Sequence, residues 1–237
     1  MTYRIPNAQY NVAAPNSLSV RVASFQRLRM YERFLIEAKV GRNDSILDVG
    51  VTSDRSYSSS NYLENWYPEK SKITAVGTDD AAFLSALYRG MSFIRANGLA
   101  LPFRDNSFDV VHSSAVLEHV GTFENQTKLI SECGRVARRA VFLTTPNRWF
   151  PVEFHTILPL VHWFPKPVFY WLMRHTGRPF FAEEANLNLM TPDELRRASR
   201  ASFNARHFKY RVSSVKLAGW PSNLLLIGIK SDLAREV

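Results

Sequence analysis

Short apolar segments that alternate with helical segments constrain the fold of this chain more than any other feature. The apolar segments lie at 45–49, 72–77, 92–96, 108–113 and 140–144, and helical spacing of apolar residues marks 18–39, 81–89 and 123–137. Because the apolar segments do not alternate with polar residues, both faces of each predicted strand are expected to be buried. The pattern predicts an α/β fold with a doubly wound, mostly parallel sheet that is covered by helices on both faces.

The C-terminal part of the chain breaks this rhythm with two predicted strands that are close together, at 207–213 and 224–230. Strands so close in sequence pair antiparallel, because a parallel connection needs a longer crossover. We therefore expect an antiparallel edge to the sheet and a total of seven strands.

Residues 148–190 fit neither pattern. The part that reads RWFPVEFHTILPLVHWFPKPVFYWLM contains four prolines and eight Phe, Trp or Tyr residues. Its prolines and Lys166 make it too interrupted to cross a bilayer, so we interpret it as an aromatic lid inserted over a pocket or on a surface. The chain is then a single domain. Its parts are an N-terminal helical cap at 1–40, a ligand-binding core at 41–147, the lid segment at 148–190, and a C-terminal helix and strand pair at 191–237.

Composition excludes several classes of protein. The chain of 237 residues is 46% hydrophobic and 22% charged, which is typical of a globular domain. Its single cysteine, Cys133, excludes a disulfide scaffold and a cysteine-based metal cluster, and we expect it to lie in the core. We see no secretory signal and no run of about 18 apolar residues, so the cytoplasm is the expected compartment.

The net charge of +9 is concentrated near the two ends of the chain. Residues 1–42 hold seven Arg or Lys and two Glu, and residues 195–216 hold seven Arg or Lys and no acid. Basic segments of this kind bind an anionic substrate, a membrane surface or nucleic acid, or they are only solvated helix faces. Charge alone leaves these four interpretations open.

Acidic residues and glycines follow the predicted strands at positions where ligands bind in such folds. Asp48 and Gly50 end the first strand, and Asp79 and Asp80 follow the second. Ligands of doubly wound sheets bind at the carboxyl ends of the strands, where glycine permits close backbone approach and an acid accepts hydrogen bonds from ribose hydroxyls. The pattern Gly-x-Gly-x-x-Gly is absent, which argues against a nicotinamide enzyme.

Five motifs in a fixed order carry a more specific resemblance. They are Asp48-Val49-Gly50, Asp79, Asn97-Gly98, the Leu-Pro-Phe and Asp-x-Ser-Phe-Asp run at 101–109, and Val-Leu-Glu-His at 116–119. In this order and spacing, the chain resembles the class I S-adenosylmethionine-dependent methyltransferases over about residues 40–147. Within that class it is most similar to the broad type 11 group.

The resemblance implies a Rossmann-like fold, S-adenosylmethionine as the cofactor and methyl transfer as the activity. It also implies the residues that bind the cofactor: Asp48, Gly50 and Thr52 after the first strand, Asp79 and Asp80 at the ribose, Asn97 and Gly98 beside the adenine, and Ser113 and Ser114 after the fourth strand. Asn97 stands where the family usually has aspartate, and we expect its amide to bond the adenine amino group or a ring nitrogen. No metal site is expected.

The loop after the first strand departs from the family. It reads Asp-Val-Gly-Val-Thr-Ser-Asp over 48–54, so one glycine remains, and a Ser/Tyr-rich stretch follows at 55–62. The cofactor has no pyrophosphate that would demand further close approach of the backbone. The loop still leaves an alternative open, in which the chain is a non-catalytic partner subunit with the same fold.

The atom that receives the methyl group is less constrained. An oxygen acceptor benefits from a general base, and His155, which follows the fifth strand, is our candidate for it. The alternative is that His155 packs the lid or orients the substrate. His112 is discounted because it lies in a predicted buried strand, and Glu118 and His119 are expected to order the chain after the fourth strand rather than to perform chemistry.

Several classes of acceptor stay open. A small-molecule, glycan-linked or lipid-linked acceptor is the first expectation, and the aromatic lid with the basic ends predicts peripheral contact with the anionic inner face of a membrane. An RNA acceptor is favoured by the pI of about 9.8. The sequence has no aromatic-basic RNA module, zinc knuckle or Asn-Pro-Pro-Tyr-type motif, so nucleic acid is not expected. The oligomeric state is not predicted.

Overall fold

The computed structural model describes residues 17–55, 57, 59–203 and 208–231. Seven of its strands form one sheet, in the order β3-β2-β1-β4-β5-β9-β8. They are β1 (Ile46–Val49), β2 (Ile73–Gly77), β3 (Ser92–Arg95), β4 (Phe108–Ser114), β5 (Ala137–Pro146), β8 (Phe208–Leu217) and β9 (Trp220–Lys230), and a separate hairpin holds β6 (Val152–Glu153) and β7 (Leu158–Pro159). The predicted α/β fold and the seven-stranded sheet are confirmed.

The five strands β1 to β5 are parallel, and β9 runs antiparallel between β5 and β8. The predicted antiparallel pair is confirmed, but β9 lies inside the sheet and β8 forms its edge. Both strands are longer than predicted, because their outer halves mix polar with apolar residues and so lack the uninterrupted apolar pattern. Residue 207, where the first of them was predicted to begin, lies outside the described residues.

Helices cover both faces of the sheet. The helices are α1 (Leu18–Glu37), α2 (Tyr62–Trp66), α3 (Phe83–Leu87), α4 (Phe123–Val136), α5 (Lys166–His175) and α6 (Pro192–Ser202). The Ser17 side chain caps α1 by accepting a hydrogen bond from Val20 N, and Thr191 caps α6 in a capping box with Glu194. These caps satisfy backbone N–H groups that would otherwise have no partner at the helix start.

Two buried apolar clusters hold these layers together. One packs α4 and α6 against the sheet around Leu129 and Cys133, and the other packs α1, α2 and α3 around Phe34 and Leu63. The thiol of Cys133 is fully buried, which confirms its predicted place in the core. Burial of each such side chain stabilises the fold by about 1.5–3 kcal/mol.

The lid segment forms a small unit with its own apolar cluster. Phe169 and Met173 of α5 pack against Phe181 in this cluster. The segment leaves the sheet after Asn147 and returns beside it, because Arg148 N donates a hydrogen bond to Met190 O. Within the described part of the chain, no helix combines the length and the apolarity that crossing a membrane requires.

Candidate functional site

An open cleft of about 270 Å³ lies at the carboxyl ends of the parallel strands. Of the predicted site residues, Gly50, Thr52, Asn97, Gly98, Ser114 and His155 line it. Asp48 and Ser113 lie buried behind this lining, and Asp79 and Asp80 follow Thr78 at its rim. The fold therefore brings the ends of β1, β2 and β4 together with the lid segment, as parallel strands with crossover helices require.

Gly50 forms the turn at the end of β1. Its φ of +104° lies in a region that side chains disfavour, and a Cβ at this position would stand 2.1 Å from Val116 Cγ2. The backbone N–H groups of Gly50 and Val51 both donate to Val76 O, at 2.7 Å and 3.1 Å. This turn keeps the wall of the cleft free of side chains at the position where a ligand approaches.

The glycine-poor loop after Gly50 is held by a side chain instead. Asn61 Oδ1 accepts a hydrogen bond from Thr52 N at 3.0 Å, and Asn61 Nδ2 donates to Thr52 O at 3.0 Å. The two bonds fix the Thr52 peptide groups from both sides, which compensates for the missing glycines. Sequence reasoning missed Asn61, because its contact with Thr52 depends on how the loop folds back.

Asn97 and Gly98 form the turn after β3. Asn97 Oδ1 accepts a hydrogen bond from Leu99 N at 2.9 Å, so the amide oxygen is already engaged with the backbone. Gly98 packs so closely that a Cβ would stand 2.9 Å from Leu129 Cδ1. Of the two adenine contacts that the sequence suggested for Asn97, the donation from its Nδ2 to a ring nitrogen fits this arrangement better.

The two acids after β2 have different surroundings. Asp79 is partly buried, and its Oδ2 accepts a hydrogen bond from Ser53 Oγ at 3.4 Å. Asp80 is exposed, and its Oδ1 accepts from Ala82 N at 3.0 Å, which orders the turn before α3. Asp79 is therefore the better placed of the two for a ribose.

The serines at the end of β4 also differ in placement. Ser113 Oγ donates to Val49 O at 2.6 Å, which ties β4 to β1 behind the cleft. Ser114 lines the cleft, and its Oγ lies 2.9 Å from Thr144 Oγ1. Ala115 follows with a φ of +56°, a left-handed conformation that costs energy in a non-glycine residue.

A buried polar network lies behind the cleft. His112 Nδ1 is 2.6 Å from Asp48 Oδ1, and His112 Nε2 is 2.9 Å from the Tyr62 hydroxyl. Burial raises the pKa of Asp48 to about 7 and lowers the pKa of His112 to about 4. Burial, together with the neighbouring Asp48, also raises the pKa of Glu64 well above its ordinary value. The prediction that His112 is buried is confirmed.

His155 stands on the lid side of the cleft with two partners. Its Nδ1 is 2.7 Å from Glu153 Oε1, and its Nε2 is 3.2 Å from His119 Nε2. Burial alone would lower the pKa of His155, but the Glu153 carboxylate raises it above the ordinary value. Burial likewise opposes ionisation of Glu153, but His155 and backbone N–H donors bring its pKa down to about 2.

Glu118 and His119 approach the cleft from the end of β4. Glu118 is fully buried, and burial raises the pKa of its carboxyl group to about 7. His119 lines the cleft, and burial lowers the pKa of its imidazole to about 3. The sequence interpretation favoured an ordering role over a chemical one for these two residues, and the structure places them beside His155.

Arg27 of α1 is a further lining residue that sequence reasoning missed. Its Nη1 donates to Ser59 Oγ at 2.8 Å, and burial lowers the pKa of the guanidinium group. Among the described residues that line the cleft, Arg27 is the one arginine or lysine. Its place in the helical repeat of α1 gave no signal, because that repeat is also typical of a solvated basic face.

Comparison with known proteins assigns the central part of the chain to a family. A family model described as a methyltransferase domain matches residues 47–144, which contain β2 to β4 and most of β1 and β5. Residues 47–144 form a class I, type 11-like methyltransferase domain. A methyltransferase domain implies S-adenosylmethionine as the cofactor.

One curated relative of the methyltransferase domain is a probable tRNA methyltransferase 9B from Bos taurus. It is 30% identical over 129 residues, which are 54% of this chain and 25% of the bovine protein. The chain thus spans about a quarter of the length of this relative.

Solved structures share the fold at low sequence identity. A putative sarcosine dimethylglycine methyltransferase from Galdieria sulphuraria is 13% identical, with a TM-score of 0.58, over 90% of this chain and 88% of that chain. Magnesium protoporphyrin IX methyltransferase from Synechocystis, solved with S-adenosylhomocysteine, is also 13% identical, with a TM-score of 0.55, over 90% and 86% of the two chains. A Haloferax volcanii complex of a putative methyltransferase with the activator Trm112 has a matching chain that is 14% identical, with a TM-score of 0.51, over 89% of this chain and 96% of that chain.

The cleft fits the cofactor of the family. Gly50 and Gly98 form a glycine cradle in its lining, and the packing of Val116 and Leu129 leaves no room for a side chain at either position. Asn97 and Thr52 add polar groups along this cradle, and Arg27 offers a cation for a carboxylate.

Proposed function

We propose that this protein transfers a methyl group from S-adenosylmethionine to an oxygen atom of an acceptor. One observation carries the proposal: a single cleft joins the glycine cradle around Gly50 and Gly98 to the imidazoles of His119 and His155. A cofactor at the first end and an acceptor at the second would share one cleft. Alignment of the two reactants is the main contribution that a protein makes to such a transfer.

The residues that hold the cofactor follow from this arrangement. Asp79 accepts the ribose hydroxyls, Asn97 donates to the adenine, and Arg27 pairs with the carboxylate of the methionine part. Gly50 lets the backbone approach the cofactor closely, and Asp48 supports this turn from behind through its hydrogen bond to His112. Charge-assisted hydrogen bonds of this kind each contribute about 1.5–3 kcal/mol.

The imidazoles supply a group that accepts the proton of the acceptor. When bound, S-adenosylmethionine supplies a methyl group on a sulfonium, and the electrons of the broken C–S bond stay on sulfur. We assign the proton of the acceptor's hydroxyl to His155 Nε2, because Glu153 holds the ring by Nδ1 and stabilises the imidazolium that forms. The acceptor oxygen then forms the new C–O bond with its own electron pair.

The surface of the lid segment supports an acceptor at an anionic membrane. Trp149, Phe164 and Trp171 are 45%, 50% and 55% exposed, which is unusual for side chains of this size. The Arg148 guanidinium lies 5.8 Å from the centre of the Trp149 ring, so cationic and aromatic groups meet on this surface. Trp favours the membrane interface, and each nearby Lys or Arg adds about 1 kcal/mol at an anionic leaflet.

A tRNA acceptor is the second candidate. The bovine relative, which is named a probable tRNA methyltransferase, favours this candidate. The net charge of +9 also favours it, because tRNA is an anion. Against it, the described lining of the cleft contains Arg27 as its one Arg or Lys, whereas tRNA binding draws on many phosphate contacts.

The experiment is a transfer assay with methyl-labelled cofactor and three separate acceptor pools: lipid extract in anionic vesicles, soluble glycans, and bulk tRNA. We expect label in the organic extract, and loss of about 10²–10⁴-fold in turnover for His155→Ala. Trp171→Ser should weaken vesicle binding at low salt and leave the affinity for S-adenosylhomocysteine unchanged. Label in tRNA alone would favour the second candidate, and binding of cofactor without label in any pool would contradict both.

A further inference from the structure

Three potential metal ligands meet at the acceptor end of the cleft. One carboxylate oxygen of Glu118 and one ring nitrogen each of His119 and His155 all lie within 4.8 Å of one another. His119 Nε2 is 3.2 Å from His155 Nε2 and 3.9 Å from Glu118 Oε1. Both imidazoles also line the cleft, so an ion between the three groups would be open to a ligand from that side.

The far nitrogen of each ring is held by a hydrogen-bond acceptor. His119 Nδ1 lies 2.8 Å from Asn186 O, and a carbonyl oxygen can only accept, so Nδ1 carries the proton and Nε2 the lone pair. His155 Nδ1 lies 2.7 Å from Glu153 Oε1, which also accepts from the backbone N–H of His155. Metal-binding histidines show this arrangement, with the second nitrogen donating to a carbonyl or carboxylate.

The Glu118 carboxylate has a buried oxygen atom without a hydrogen-bond partner. Glu118 is fully buried, and its Oε2 accepts a hydrogen bond from Thr145 Oγ1 at 2.9 Å. Its Oε1 has no hydrogen-bond partner, although it faces His119 Nε2 across 3.9 Å. A buried oxygen without a partner is costly, and natural proteins rarely leave one unless a ligand completes it.

Two arrangements could satisfy the pair of imidazoles. In the first, His155 is an imidazolium and donates Nε2–H to His119 Nε2, which accounts for their contact but leaves Glu118 Oε1 unsatisfied. In the second, a cation binds both Nε2 lone pairs and Glu118 Oε1, and every group then has a partner. We propose that Glu118, His119 and His155 bind a divalent first-row transition-metal ion. Two imidazoles and one carboxylate form a ligand set that suits Zn²⁺ and Fe²⁺ and leaves further coordination positions open.

The role of the ion rests on the oxygen-directed transfer proposed above. An open position on the ion would take the acceptor's oxygen and lower the pKa of its hydroxyl, so that its proton leaves to solvent. His155 is then a ligand through Nε2, and solvent takes the proton in its place. Metal binding and methyl transfer are measured separately, so either proposal can fail without the other.

The test is a titration of the full metal-free chain with Co²⁺, followed by the visible absorption of the bound ion. We expect about one Co²⁺ per chain, displaced by Zn²⁺. The variant Glu153→Gln, which only loses an orienting partner, should weaken binding by about 10–100-fold, and the ligand variants Glu118→Gln and His155→Gln should weaken it by more than this. His175 is exposed and distant in sequence from the three ligands, so His175→Gln is the matched control and should bind like the wild type.

Two results would overturn the proposal. The first is a wild type that binds no Co²⁺ saturably, and the second is binding that Glu118→Gln and His155→Gln leave unchanged. Circular dichroism and titration with S-adenosylhomocysteine show whether each variant folds. X-ray absorption of the Zn²⁺-loaded wild type tests the ligands without any variant, and a spectrum that lacks scattering from two imidazoles would also overturn the proposal.

Discussion

Substitution of Gly50 by alanine tests the turn that shapes the cleft. The alanine would have to keep the backbone φ of +104°, and its Cβ would stand 2.1 Å from Val116 Cγ2. The left-handed conformation costs about 1–2 kcal/mol, and relief of the overlap costs about 1–3 kcal/mol more. The total of about 2–5 kcal/mol is a large part of the ~5–15 kcal/mol that stabilises a typical domain.

Gly219→Ala is the matched control for this substitution. Gly219 has a φ of +83°, and nothing lies within 4 Å of a Cβ built on it, so it carries the backbone cost without the overlap. We expect urea unfolding to show a loss of about 1–2 kcal/mol for Gly219→Ala and a clearly larger loss for Gly50→Ala. Only Gly50→Ala should weaken the binding of S-adenosylhomocysteine.

A double-mutant cycle with Val116→Ala separates the overlap from the backbone cost. Removal of the Val116 methyl groups should recover about 1–3 kcal/mol in the Gly50→Ala background, as a favourable coupling energy. Equal losses for Gly50→Ala and Gly219→Ala, or a coupling energy near zero, would refute the role given to Val116 in shaping this turn.

Three further predictions concern charged groups. Asp79→Asn should weaken the affinity for S-adenosylhomocysteine about tenfold or more in calorimetry, because it loses a charge-assisted hydrogen bond. The control Asp80→Asn, at the exposed neighbouring acid, should leave this affinity almost unchanged, and equal effects of the two substitutions would contradict the assignment. Arg27→Gln should weaken the same affinity by a similar factor, and an unchanged affinity would place the cofactor's carboxylate elsewhere. Glu64→Gln should gain stability relative to the wild type as the pH rises above the ordinary pKa of a glutamate, and an identical pH dependence of the unfolding free energy in both proteins would contradict this.

The sign of the Glu64 prediction follows from its raised pKa. The folded protein holds this proton to a higher pH than the unfolded chain does, so the folded state binds more protons in that range. The contribution of Glu64 to the free energy of unfolding is therefore fully present at low pH, and it falls as the pH rises, by up to about 1.4 kcal/mol per pH unit. Glutamine has no proton to lose at this site, so the variant lacks this slope.

The sheet and its helices were predictable from sequence because the central strands β1, β2, β4 and β5 are buried on both faces. The uninterrupted apolar segments around Ile46, Val76 and Val111 show this burial directly. The hairpin of β8 and β9 was predicted, but its strands were predicted too short, since polar residues such as Asn223 lie within them. The turn at Gly50 was also predictable, because a glycine after an apolar strand is a local signal.

The acceptor end of the cleft was only partly predictable. His155 was found from its position after the fifth strand, but its contact with His119 joins residues 36 positions apart in sequence. That contact depends on the path of the lid segment, which also delivers Asn186 O to the His119 ring. Arg27 was missed for a similar reason, because the helix that carries it packs over the cleft only through the tertiary fold.

The central claim is that the carboxyl ends of β1, β2 and β4 bind S-adenosylmethionine. Hydrogen exchange measured by mass spectrometry, with and without S-adenosylhomocysteine, tests this most directly on the wild-type chain. We predict slower exchange in peptides that cover Gly50 to Ser53, Gly77 to Asp79, Asn97 to Leu99 and Ser114 to Val116, and no change in the hairpin around Gly219. Unchanged exchange in all four segments at saturating ligand, or protection confined to the hairpin, would contradict the account.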